Sequence, residues 1–131
     1  MTLNESWEMV ADFHRLFGHP VSGKPIFIDK ERAQKRYAWM LEEIDEFIES
    51  STIVDQADAM IDLMYFALGT LVEMGVKPEK IFEVVHKANM SKVWPDGTLH
   101  YNDMGKTIKP PAWVDPYDKL KYEIDKELKD D

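Results

Sequence analysis

The chain has no cysteine, which excludes disulfides and thiolate zinc sites and fits a reducing compartment. It also lacks an apolar run long enough to span a bilayer. The most apolar stretch, residues 60 to 72, is too short and carries Asp62. No basic-then-apolar leader opens the sequence, so the reading expects a cytoplasmic protein with no membrane partner. Basic residues are scarce, with 16 Lys and Arg against 25 Asp and Glu, and the resulting net charge of −9 argues against a nucleic-acid polymer as ligand. Neither an internal repeat nor a period-2 strand pattern is present.

One absence is more local. No lysine or arginine lies between Arg36 and Lys77, yet that interval holds Glu42, Glu43, Glu46, Asp58 and Asp62. Carboxylates about 4 Å apart repel by roughly 4 kcal/mol at an effective dielectric of 20. A hard divalent cation, which prefers carboxylate oxygens, turns that repulsion into coordination.

What is there is helical. With 131 residues, 44% of them hydrophobic and 31% charged, the chain suits one globular domain, 1–131, with residues 93–131 as an extended tail and short terminal helix. Thr2 and Glu5 have capping-box spacing ahead of Trp7, Val10, Ala11, Phe13, His14 and Phe17, and Gly18 stops that helix. A loop with Pro20, Gly23 and Pro25 leads to Asp29, which caps a second helix running to about Ser50. Its apolar stripe is Tyr37, Met40, Leu41, Ile44, Phe47 and Ile48. Thr52 opens a third helix, about Ile53 to Met74, ended by Gly75. Pro78 opens a fourth, with Ile81, Phe82, Val84, Val85 and Ala88 expected on its buried face, and a short charged helix follows from Tyr117. The expected fold is all-α: a four-to-five-helix bundle with an acidic hairpin at its centre and an irregular C-terminal tail.

On the second helix the acids taken alone form an ordinary wet face. The third helix changes that reading, because Met60, Ile61, Leu63, Met64, Tyr65 and Phe66 make Asp62's surroundings apolar on almost every side. Burying an unpaired carboxylate costs several kcal/mol, so such groups are paired or bind metal. Folding the hairpin near residue 51 or 52 brings Glu43 and Glu46 within about one turn of Asp58 or Asp62. Asp55 lies nearer the turn and suits a cap. A third helix apolar on two sides also calls for a neighbouring chain, and a homo-oligomer is expected.

The residues Leu41-Glu42-Glu43-Ile44-Asp45-Glu46, then Asp58 to Thr70, resemble the all-α nucleoside triphosphate pyrophosphohydrolases, that is, the MazG-like, phosphoribosyl-ATP-pyrophosphohydrolase-like and dimeric-dUTPase-like proteins. His86-Lys87-Ala88-Asn89-Met90-Ser91-Lys92, Asp96-Gly97 and Gly105-Lys106-x-x-Lys109-Pro110 resemble the C-terminal half of one branch, and Phe13-His14-x-x-Phe17-Gly18-x-Pro20 its opening. The resemblance implies magnesium-dependent (or manganese-dependent) hydrolysis of a (deoxy)nucleoside triphosphate between the α and β phosphates, giving monophosphate and pyrophosphate, by a homodimer or homotetramer. It implies Glu43, Glu46 and Asp62 as metal ligands and Glu42 as a ligand or as the base that activates water. Where the family's E-x-x-D form places an acid at 59 this chain has Ala59; the resemblance then implies Asp58, one residue earlier, as the substitute, with Asp55-x-x-Asp58 a competing register that leaves the division among Asp55, Asp58 and Asp62 open. Lys87, Lys92 and Lys106 or Lys109 are the phosphate-holding candidates, and Asn89 suits a sugar or base edge. Two alternatives stand beside this: a non-catalytic acidic helical module of the DNA-mimic kind, and the same chemistry on phosphoribosyl-ATP.

Overall fold

A computed structural model describes residues 1–129. Among them are five helices: α1 (Leu3–Phe17), α2 (Lys30–Glu49), α3 (Ile53–Met74), α4 (Pro78–Met90) and α5 (Tyr117–Lys129). Extended pairing is limited to a bridge between Tyr101 and Thr107. The fold is thus all-α, as the periodicity predicts. No single helix among these residues is long and apolar enough to cross a membrane. Residues 1–78 form one compact unit and residues 79–129 a second.

In the first unit the caps sit where local chemistry puts them. The Thr2 hydroxyl accepts from the Glu5 amide at 3.1 Å while the Glu5 carboxylate accepts from the Thr2 amide at 3.3 Å, closing the capping box of α1. The Asp29 carboxylate accepts from the Arg32 amide at 2.9 Å, and the Thr52 hydroxyl from the Asp55 amide at 3.0 Å. Asp55 therefore serves the start of α3 through its backbone. Helix α3 packs against both α2 and α1. The fully apolar centre is small: Trp7, Val10, Ala11 and Val72, with Val21, Leu68 and Leu71 against it. The loop after α1 returns along the end of α3, where the Ser22 amide donates to the Val72 carbonyl at 3.2 Å and the Ile26 amide to the Met74 carbonyl at 2.8 Å. Gly75 takes φ 69° there, and a β-carbon would stand 2.2 Å from the Lys24 carbonyl oxygen, so only glycine fits.

A polar knot replaces the rest of the core. Glu73, 3% exposed, accepts two bonds from Arg32 at 2.8 and 3.0 Å and one from Arg36. Arg36, also 3% exposed, donates further to the Thr70 hydroxyl at 2.7 Å and to the Phe66 carbonyl at 3.0 Å. His14 of α1 completes it, with Nδ1 2.9 Å from the Pro20 carbonyl and 3.9 Å from Glu73. Its buried ring is held below its ordinary pKa of 6.5, chiefly by desolvation.

The face that α2 turns inward differs from its apolar stripe. Arg36 is buried and Trp39, Met40, Glu43 and Phe47 are half-buried, whereas Tyr37, Leu41, Ile44 and Ile48 are exposed. The guanidinium–carboxylate pairing of Arg36 with Glu73 fixes the helix's rotation against the hydrophobic count. Ile53, Val54, Ile61 and Met64 of α3 are likewise exposed within one chain.

The second unit holds α4, an irregular segment and α5. The buried face expected on α4 is only half formed: Ile81, Val84 and Ala88 are partly covered, while Phe82 and Val85 are exposed, because few residues remain in this unit to cover them. The irregular segment is pinned by its own polar groups. The Trp94 indole donates to the Ile108 carbonyl at 3.1 Å, and Asn102 Oδ1 accepts from the Met104 and Lys106 amides at 2.9 Å each. The Trp113 indole N–H is shared between the Ala88 carbonyl at 2.8 Å and the Ser91 hydroxyl at 3.0 Å. A cavity of about 770 Å³ lies within this unit, lined among others by Val84, Lys87, Ala88, Trp113 and Tyr122.

Candidate active site

The inward rotation of α2 delivers Glu43 and Glu46 to the side of α3 that carries Asp62. One carboxylate oxygen from each of Glu43, Glu46 and Asp62 lies within 4.8 Å of the others. Spacing explains the meeting: Glu43 follows Arg36 by two helical turns, and Asp62 precedes Phe66, whose carbonyl receives Arg36, by one. The arginine knot and the acid group are thus successive layers of one α2–α3 interface.

The electrostatics are those of crowded acids. Desolvation comes first in raising Glu43 to about 7, followed by a hydrogen bond to Glu46 and the charges of Glu46, Asp62 and Asp58. Asp62 is also raised, by burial first and then by Asp58 and Glu46. Glu43 Oε2 is buried and has no hydrogen-bond partner among the described residues. A buried carboxylate oxygen left so is costly unless something outside the protein meets it. Three hard oxygen donors around an open lone pair fit a divalent cation of the Mg²⁺ or Mn²⁺ type.

Of the acids expected at the site, Glu43, Glu46 and Asp62 come together. Asp58, exposed and one turn before Asp62, lies outside the triple but close enough to act on both Glu43 and Asp62. Glu42 is exposed on α2 and is not in the triple. Lys87, Asn89, Lys92, Lys106 and Lys109 all belong to the second unit. There Lys87 pairs with Glu83 at 3.0 Å, and the backbone carbonyl of the exposed Asn89 accepts from the Lys92 amide at the end of α4 at 3.2 Å. Lys106 is exposed on the turn capped by Asn102. The ammonium groups of Lys92 and Lys109 stand 5.4 and 5.2 Å from the Trp113 ring centroid.

Sequence reasoning missed the layer behind the acids. Trp39, one turn before Glu43, and Phe66, one turn after Asp62, have ring centroids 6.0 Å apart, with Arg36 5.3 and 5.8 Å from the two rings. The available signal was Arg32, Arg36 and Trp39 recurring at three- and four-residue spacing on the line that leads to Glu43. Glu73 had no such signal, since its partners lie about 40 positions away.

An all-α scaffold with acids gathered across an antiparallel helical hairpin defines the class of the all-α nucleotide pyrophosphohydrolases. Within it, the profile described as phosphoribosyl-ATP pyrophosphohydrolase matches residues 10–89, and the chain belongs to this family. It is an enzyme family that hydrolyses nucleotides. The chain is also similar to a crystallised protein of Exiguobacterium sp. 255-15, described there provisionally as an NTP pyrophosphohydrolase. Identity is 27% over 95% of this chain and 96% of that one, with a TM-score of 0.51. No curated protein matches the chain.

Proposed function

We propose that the protein hydrolyses a free (deoxy)nucleoside triphosphate at the α–β bond, releasing monophosphate and pyrophosphate, in a divalent-metal-dependent reaction. The observation that carries this reading is the convergence of Glu43, Glu46 and Asp62 around the partnerless Oε2 of Glu43. These three residues, with Asp58 beside them, are the proposed ligands of Mg²⁺ or Mn²⁺. When bound, the ion supplies charge neutralisation of the triphosphate and a lowered pKa for water. The chain's own contributions are distinct. Glu43 gives up the proton that crowding favours, and Glu43 and Asp62 serve as acceptors. Glu42, exposed beside them, is the proposed base or additional ligand, taking the proton of the attacking water. Lys87, Lys92, Lys106 and Lys109 are the proposed holders of phosphate oxygens, and Asn89 of a sugar or base edge. The exposed apolar side chains of α2 and α3 support a homodimer or homotetramer, with the whole chain 1–131 as one functional domain.

The family's description supports a second substrate, phosphoribosyl-ATP, on which the same bond is cleaved. The description of the Exiguobacterium protein supports the free triphosphate. Incubation with each common ribo- and deoxyribonucleoside triphosphate and with phosphoribosyl-ATP, in millimolar magnesium, separates the two. Pyrophosphate release from a free triphosphate is the expected result. Release of inorganic phosphate rejects the proposed bond, and turnover of phosphoribosyl-ATP alone selects the second substrate.

A further inference from the structure

Trp113 is held more firmly than an aromatic in an irregular segment needs to be. Its indole N–H donates to both the Ala88 carbonyl and the Ser91 hydroxyl, which ties the ring to the last turn of α4 and the residue after it. Over that ring stand two cations from different stretches of chain, Lys92 just beyond α4 and Lys109 beyond the Tyr101–Thr107 bridge. Both nitrogens lie near 5 Å from one centroid, so they are within about 11 Å of each other. Like charges no farther apart than this repel, weakly at that upper bound where water and salt screen them and more strongly at shorter range. Lys87, Lys121 and Lys126 each meet an acid, at 3.0, 2.7 and 3.6 Å. Among the described residues neither Lys92 nor Lys109 has a carboxylate at ion-pair distance, in a chain where acids outnumber bases. The ring's negative face offsets part of the repulsion, and an anion spanning both ammonium groups removes the rest.

We propose that Trp113 is a positioning residue that seats Lys92 and Lys109 as a two-cation cradle for a polyphosphate chain. This rests on the nucleotide pyrophosphohydrolase reading, in which both lysines hold phosphate. It adds that their reach is set by one aromatic ring and not by the lysine side chains alone. Each cation–π contact in an exposed setting corresponds to about a two- to fivefold factor, and the two together to about four- to twenty-fivefold; the ring also holds both lysines without the anion, so only part of this reaches affinity and its loss weakens the anion by about three- to tenfold.

The test uses the full-length protein and inorganic tripolyphosphate, titrated calorimetrically without metal, beside steady-state kinetics on whichever nucleotide is turned over. Trp113→Leu is expected to weaken tripolyphosphate three- to tenfold and to raise KM by a similar factor, with kcat within about twofold. Trp113→Phe, which keeps a ring but loses the N–H anchor, falls between. In a Lys92→Met, Lys109→Met background, Trp113→Leu adds nothing further. A folded Trp113→Leu protein with unchanged tripolyphosphate affinity overturns the proposal, as does an equal loss in the lysine-free background. Tripolyphosphate binding is read without turnover, so an inactive enzyme that still shows this pattern rejects the substrate reading and not the cradle.

Discussion

At the residue scale the proposed chemistry turns on Glu43. Its carboxyl is raised to about 7 from an ordinary 4.5, so the folded, metal-free protein holds a proton that the unfolded chain releases. Stability of the metal-free fold therefore declines as pH rises from 4.5 through 7. On the proposed function a divalent ion displaces that proton on binding, so its stabilising effect is expected to grow over the same range. Thermal unfolding with and without 10 mM magnesium should show a larger metal-induced shift at pH 8 than at pH 6. Glu43→Gln should unfold at a higher temperature than the parent in chelator and lose the magnesium shift. A magnesium shift equal at both pH values contradicts this role. The acids themselves were legible in the sequence, because an apolar surround with no base between Arg36 and Lys77 leaves a bound cation as their natural counter-charge. Spacing placed Glu43 and Glu46 near Asp58 or Asp62, but which of these acids share one point was not legible from it. That depends on the rotation of α2, which is fixed by Arg36 reaching Glu73, a partner that no local spacing announces.

The element scale is governed by the knot joining α1, α2 and α3. Removing one partner of a buried ion pair typically costs 3–5 kcal/mol, and Glu73→Gln leaves two guanidinium groups facing one neutral amide. Urea unfolding should register a loss of about 3 kcal/mol. Gly69 lies under the same knot. A β-carbon there would stand 2.6 Å from an Arg36 nitrogen and 2.8 Å from the His14 ring. Alanine gains about 1 kcal/mol of helix propensity over glycine. The Arg36 end is locked by Glu73, Thr70 and Phe66, so displacing it outweighs that gain. Gly69→Ala should lose about 2 kcal/mol in the same measurement, and a stabilised variant would show that the arginine moves freely. The knot also predicts a pH dependence of its own. His14 is lowered, so its contribution is present above 6.5 and fades as pH falls below it. Burial pushes Glu73 up, but its arginines together outweigh that and lower it, so its contribution persists above 4.5 and is lost on further acidification. Helix boundaries were legible at this scale because caps are local: Thr2, Asp29, Thr52 and Pro78 all start helices, and Gly18 and Gly75 end them.

For the whole molecule, the question is what covers the apolar side chains left outside. Tyr37, Ile44 and Ile48 on α2 and Ile53, Ile61 and Met64 on α3 are each more than 45% exposed. Sedimentation at micromolar concentration should give a dimer or larger species, and Ile61→Glu should shift it toward monomer; a monomeric parent would remove the oligomer from the account. The sequence hinted at this through a third helix apolar on too many sides for one hairpin. No such hint marks the second unit, where side-chain hydrogen bonds of Trp94, Asn102 and Trp113 organise the segment without hydrophobic periodicity.

The proposed hydrolysis depends above all on Glu43, Glu46 and Asp62 gripping one cation. Calorimetric titration of magnesium into the parent, Glu46→Gln and Asp62→Asn proteins, each first verified as folded, is the most direct test. The parent should bind, and each variant should lose at least about 10-fold in affinity and about 100-fold in pyrophosphate release. Undiminished magnesium affinity in both variants, with undiminished turnover, would contradict the account.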